Sequence, residues 1–203
     1  MGYEVRSVEG FVQQLVLLVR NGYLFYARIE LGIENDPAPV DRKVLEKYQV
    51  SRSKFAKYRD AKAGLSKTAY IRCGQLGVIL ATHGKSPFFA SEKFQDFRRR
   101  PLKFAGYSLS FKNGHAHVCI EREQFLLLRR TFRQHATRFS VEQLERSLAA
   151  LPFEPYAGVR RQLFQILSAV NRARREFGLD PVPWQCLRLR RRSVRVFGPE
   201  GVG

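Results

Sequence analysis

Tyr107-Ser108-Leu109-Ser110-Phe111-Lys112, then Asn113-Gly114, then His115-Ala116-His117-Val118-Cys119-Ile120-Glu121 is the stretch from which the rest of the chain is best read. An Asn-Gly pair between two alternating runs supplies two successive residues that tolerate positive φ, the signature of a type I′ turn closing a β-hairpin. A two-residue turn also fixes register: Lys112 faces His115, Ser110 faces His117, Ser108 faces Cys119 and Tyr107 faces Ile120. Alternation then sorts the side chains. Tyr107, Leu109, Phe111, Ala116, Val118 and Ile120 form an apolar face, while Ser108, Ser110, Lys112, His115, His117, Cys119 and Glu121 form a polar one.

Upstream of this hairpin, Ser7 is placed to cap a helix from about Val8 to Arg20, and Asn21-Gly22 ends it. Residues 23–31 are rich in strand formers. The loop Asn35-Asp36-Pro37-Ala38-Pro39 leads to helices at about 40–48 and 53–63, followed by strands at about 69–72 and 75–83. Residues 87–101 read as irregular or briefly helical. Downstream, helices are expected at about 123–135 and, behind a Ser140/Gln143 capping box, at about 140–151. A long helix over about 157–177 carries Val159, Leu163, Ile166, Leu167, Val170 and Phe177 on one stripe. Strands before 122 and helices after it predict an α+β fold. Its antiparallel sheet centres on the Asn113-Gly114 hairpin, packed with an N-terminal helix and a helical C-terminal part. The expected division is an α+β core over 1–122, with a basic helical insertion at about 40–64, and an Arg-rich helical part over 123–203 on the same core.

The 203 residues are 44% apolar and 27% charged, a globular rather than disordered composition. Lys and Arg number 36 against 18 Asp and Glu, a formal net charge of +18. Solubility alone needs only a few net charges, so the surplus points to a polyanionic partner. Cys73, Cys119 and Cys186 lie far apart without a C-x-x-C pair, which argues against a zinc ribbon or a disulfide framework and fits a reducing compartment. Leu15 to Val19 is too short for a membrane span of about 20 residues. Glu4 and Glu9 ahead of it do not suit a secretory signal. A cytoplasmic or nucleoid-associated location and no membrane partner are therefore expected. Phosphate-loop, dinucleotide and H-E-x-x-H motifs are missing from the sequence, so nucleotide hydrolysis, nicotinamide redox chemistry and zinc proteolysis lack their usual support.

Two regions concentrate the positive charge. Ten Lys and Arg lie between Arg42 and Arg72, and ten Arg without a Lys follow Tyr156. Arginine grips phosphate with a planar fork and stacks on bases, which an ammonium group cannot do. The expected nucleic-acid contacts are Lys54, Lys57 and Arg59; Arg98, Arg99 and Arg100; Arg160, Arg161, Arg172, Arg174 and Arg175; and Arg188, Arg190, Arg191 and Arg192. Phe55 and Tyr58 alternate with the first group, and Phe94 and Phe97 precede the second. Such rings either stack on bases or anchor a core.

His115-Ala116-His117 resembles the His-hydrophobic-His strand of rolling-circle replication and transposition nucleases. That resemblance implies a Mg²⁺ or Mn²⁺ ion held by His115, His117 and either Glu121 or Glu30, with Tyr156 as the nucleophile forming a phosphotyrosine with DNA. Against it, Lys112 opposite His115 repels a cation, and Tyr156 sits between Pro155 and Gly158 rather than within a helix. Residues 103–111 are similar to the aromatic strand of RNA-recognition sheets, with a different spacing of glycine and aromatics. The leading expectation is a cofactor-free protein that binds DNA or RNA through phosphates, alone or as a subunit of a nucleoprotein complex from a mobile element or defence system. A metal-dependent endonuclease is the alternative.

Overall fold

Asn113 and Gly114 both take positive φ, 51° and 78°, and close the hairpin between β6 (Tyr107–Lys112) and β7 (His115–Ile120). The structure is a computed structural model that describes residues 3–32, 36–192 and 194–197. Asn35 of the expected loop and Ser193 of the tail lie outside the described residues. The fold is α+β, and the chain divides into two compact units that interleave in sequence. Residues 1–101, 110–116 and 194–203 belong to the first, and residues 102–109 and 117–193 to the second, so the hairpin tip and stem fall in different units.

In the first unit, α1 (Val8–Arg20) starts where the Ser7 side chain accepts a hydrogen bond from the Gly10 amide at 3.1 Å. Phe11, Val12, Leu15 and Val19 of α1 are buried. The strands β1 (Phe25–Glu30), β2 (Thr68–Cys73), β3 (Leu76–Ala81) and β4 (Gln95–Asp96) form one sheet in the order β2-β3-β1-β4. β3 is paired on both sides and buried throughout, which explains its unbroken apolar sequence. Helices α2 (Ala38–Lys47), α3 (Lys54–Lys62) and α4 (Pro87–Ser91) complete this unit. Beyond α4 the expected irregular stretch contains β4, and Phe97 beside it is fully buried.

One member of the first basic cluster is not a surface cation. Arg72 is buried and donates through Nε to both carboxylate oxygens of Asp41, at 3.1 and 2.9 Å. Asp41, 1% exposed, also accepts from the Tyr70 hydroxyl at 2.6 Å. Burial, and then the hydrogen bond to Asp41, push the Tyr70 pKa upward. The charge count of residues 42–72 therefore overstates what is free to meet a ligand.

The second unit takes β5 (Leu102–Phe104), which pairs antiparallel with β6 through a turn at Ala105-Gly106. It also takes α5 (Arg122–His135), α6 (Val141–Ala149), α7 (Ala157–Glu176) and a 3-10 turn at Trp184–Cys186. Ser140 and Gln143 form the expected reciprocal capping box of α6. Val159, Leu163, Ile166, Leu167 and Val170 line the buried face of α7, but Phe177 lies just past the helix end and is exposed. Among the described residues no helix is long and apolar enough to cross a membrane.

Candidate functional site

Helices α5 and α7 of the second unit flank an open groove of about 1070 Å³. Leu126, Arg129, Arg130 and Arg133 line it from α5, at i, i+3, i+4 and i+7, which puts them on one helix face. Arg161, Gln165, Ser168 and Arg172 line it from α7 at i, i+4, i+7 and i+11, with Phe164, Ala169 and Ala173 adding apolar surface. Five guanidinium groups thus face one groove whose single lining carboxylate is Glu176. Among the described residues none of the five arginines is held in an ion pair, and all five are solvent-exposed. Like charges at i and i+4, as in Arg129 and Arg133, cost an isolated helix about 0.2–0.5 kcal/mol. Fold stability gives no reason for the arrangement.

Two anchors fix α7 against the hairpin stem, and with it one wall of the groove. The Gln162 side-chain oxygen accepts from the Ile120 amide at 2.6 Å, and its nitrogen donates to the Ile120 carbonyl at 2.9 Å. At Gly158 the backbone comes so close to β7 that a Cβ would lie 2.4 Å from the Val118 carbonyl oxygen. Gly158 is needed here for proximity.

Only Arg161 and Arg172 of the expected contacts line this groove. Arg129, Arg130 and Arg133 lie outside the dense charge runs of the sequence; their signal is the one-sided helical spacing from Leu126. Arg174 is 4% exposed and donates to the carbonyls of Ala136 at 2.7 Å, Phe139 at 3.0 Å and Asp180. It tethers the α5–α6 connection at both its ends and the segment after α7. Arg188 pairs with Glu154 at 2.9 Å and donates to the Phe153 carbonyl at 3.1 Å. The Arg192 amide also donates to Glu154, at 3.0 Å, and Arg160 reaches the Leu189 carbonyl at 3.4 Å. Arg191 stacks over the Tyr156 ring, 4.8 Å from its centroid. These contacts hold the tail along the entrance to α7, and Arg160, Arg175, Arg190, Arg191 and Arg192 are all solvent-exposed.

In the first unit, Arg98, Arg99 and Arg100 are all exposed, and Arg98 is chelated by Asp96 with contacts of 2.6 to 3.0 Å. Lys57 donates to the Val50 carbonyl at 2.7 Å, and burial, then the nearby Lys67 charge, lower its pKa. Arg59 is exposed on α3; Lys54 opens that helix, and its side chain lies outside the described residues. Phe94 belongs to an aromatic cluster with Phe25, Phe88 and Phe89. Phe55, by contrast, is 83% exposed.

The hairpin histidines have different surroundings. His115 is exposed, whereas His117 is half-buried where Gly158 of α7 approaches β7, its Nε2 within 3.1 Å of the point a Gly158 Cβ would occupy. Glu121 forms an ion pair with Lys103, and Glu30 pairs with Arg28 at 2.8 Å. Among the described residues no three His, Cys, Asp or Glu side chains gather as metal ligands. Tyr156 precedes α7 as its N-cap; burial raises its pKa, and Arg191 partly offsets the rise. No protein-family model matches the chain, and no curated protein matches it.

Proposed function

We propose that this protein binds nucleic acid through the phosphate backbone, with the α5–α7 groove as its principal grip, alone or within a nucleoprotein complex. One observation carries the reading: five arginines from two helices, unpaired among the described residues, converge on a groove with a single carboxylate. Guanidinium forks bind phosphate bidentately, and releasing the counterions condensed on the polyanion drives association. The apolar lining from Leu126, Phe164 and Ala173 accommodates sugar and base edges between the charges.

The test is oligonucleotide binding by fluorescence anisotropy across a salt series. Each phosphate contact contributes about 0.7 to 0.9 to the slope of log affinity against log salt. Replacing Arg133, Arg161 and Arg172 together by Gln should flatten that slope by about 2 to 3 and weaken binding irrespective of sequence. An unchanged slope, or no binding by the wild type at physiological salt, rejects the proposal.

A further inference from the structure

Helix α3 is turned the wrong way for a helix carrying two aromatic residues. Phe55 is 83% and Tyr58 60% exposed. At 100° per residue they share one face with Arg59 and Lys62, and the Lys62 ammonium lies 4.9 Å from the centre of the Tyr58 ring. The opposite face seats the helix: Lys57 donates to the Val50 carbonyl at 2.7 Å, and Asp60 pairs with Arg52 at 2.9 Å. Ser53 caps the first turn through the Ala56 amide at 3.2 Å. Neither ring takes part in these anchors, so the fold leaves uncovered the two α3 side chains with most to gain from burial.

The surroundings define the occupant. Arg59 and Lys62 flank the rings on the exposed face, and the cleft on the helix's seated side holds Lys57, Lys67 and Lys85 beside Arg52, paired with Asp60, and Lys47, paired with Glu92. Flat apolar surface among cations suits a ligand that has free π-faces as well as negative charge. A duplex hides its base faces within the stack, while a single strand presents them. Two isolated rings without an aliphatic stripe also make a poor membrane-inserting face.

We propose that the Phe55–Tyr58 face of α3 is a base-stacking platform, and that the polyanion this protein binds is single-stranded nucleic acid. The proposal rests on the nucleic-acid reading above and adds the ligand class to it.

The experiment compares labelled oligothymidylate, oligouridylate and a mixed-sequence duplex of equal length, using the full chain and its Phe55→Ala and Tyr58→Ala variants. Stacking predicts that each variant loses about 5- to 150-fold in affinity for the single strands. Duplex affinity and the salt slope should stay at their wild-type values, and Phe55→Trp should keep single-strand binding. Thermal melts of the variants should match wild type, because the rings are not packed. If the wild type binds single strands and both Ala variants do so equally well, the platform is refuted while the nucleic-acid reading stands. Equal losses on single strand and duplex refute it too, as does Phe55-dependent capture by phosphatidylserine vesicles without single-strand binding. Should the wild type bind no oligonucleotide at physiological salt, both proposals fall. If the Ala variants do not fold, Phe55→Trp decides: loss of single-strand binding by that folded variant overturns the platform.

Discussion

Replacing Gly158 by Ala opposes two effects of different sign. Helix propensity favours the change, by up to about 1 kcal/mol in a helix interior and less in the first turn. The close approach to β7 opposes it. The new Cβ would lie 2.4 Å from the Val118 carbonyl oxygen, 3.1 Å from His117 Nε2 and 3.2 Å from Cys119 Cβ. Carbon–oxygen contacts of this type ordinarily begin at about 3.3 Å, so helix and strand must separate by roughly 1 Å. The obstacle is strand backbone and cannot rotate away as a side chain could. Separation stretches the paired hydrogen bonds of Gln162 to Ile120, each contributing about 0.5–1.5 kcal/mol. With overpacking costs of about 1–3 kcal/mol, the net expectation is destabilisation by about 2–3 kcal/mol. Urea unfolding followed by circular dichroism measures this, provided the dependence on denaturant matches wild type. A midpoint equal to or above that of wild type would refute the account of how α7 is seated.

Three further outcomes follow from the same structure. Asp41→Ala should cost about 3–5 kcal/mol in chemical denaturation, because it removes the chelating carboxylate from the buried Arg72 guanidinium. Burial alone would raise the Asp96 pKa, but hydrogen bonds from the Arg98 side chain and amide bring it below its ordinary 3.8. A depressed carboxylate stabilises the fold above its unfolded pKa, and that contribution fades as pH falls through the folded value. Melting temperatures measured from pH 6 downward should therefore fall less steeply for Asp96→Asn than for wild type below about pH 4. Labelled single-stranded DNA incubated with the protein and Mg²⁺ or Mn²⁺ should stay intact on denaturing gels. Metal-dependent cleavage lost in His117→Ala would instead favour the endonuclease alternative.

Local chemistry made much of the fold legible. Asn113-Gly114, the Ser7 cap and the Ser140/Gln143 capping box each satisfy backbone groups within a few residues, so their sequence signals survive tertiary context. The Ala105-Gly106 turn gave no such signal, since Ala105 takes a φ of 46° that alanine ordinarily avoids. The two-residue β4 was equally hidden, because its existence depends on pairing with the distant β1.

The sequence by itself determined the α+β class, the hairpin turn, most of the apolar stripe of α7, and the surplus of positive charge. Only the tertiary structure decided which cations are free. It buries Arg72 on Asp41, spends Arg174 on three carbonyls, and gathers Arg129, Arg130 and Arg133 with Arg161 and Arg172 at one groove. The physical reason is that charge is a property of a residue, whereas its availability depends on which carboxylates and carbonyls the fold brings within reach.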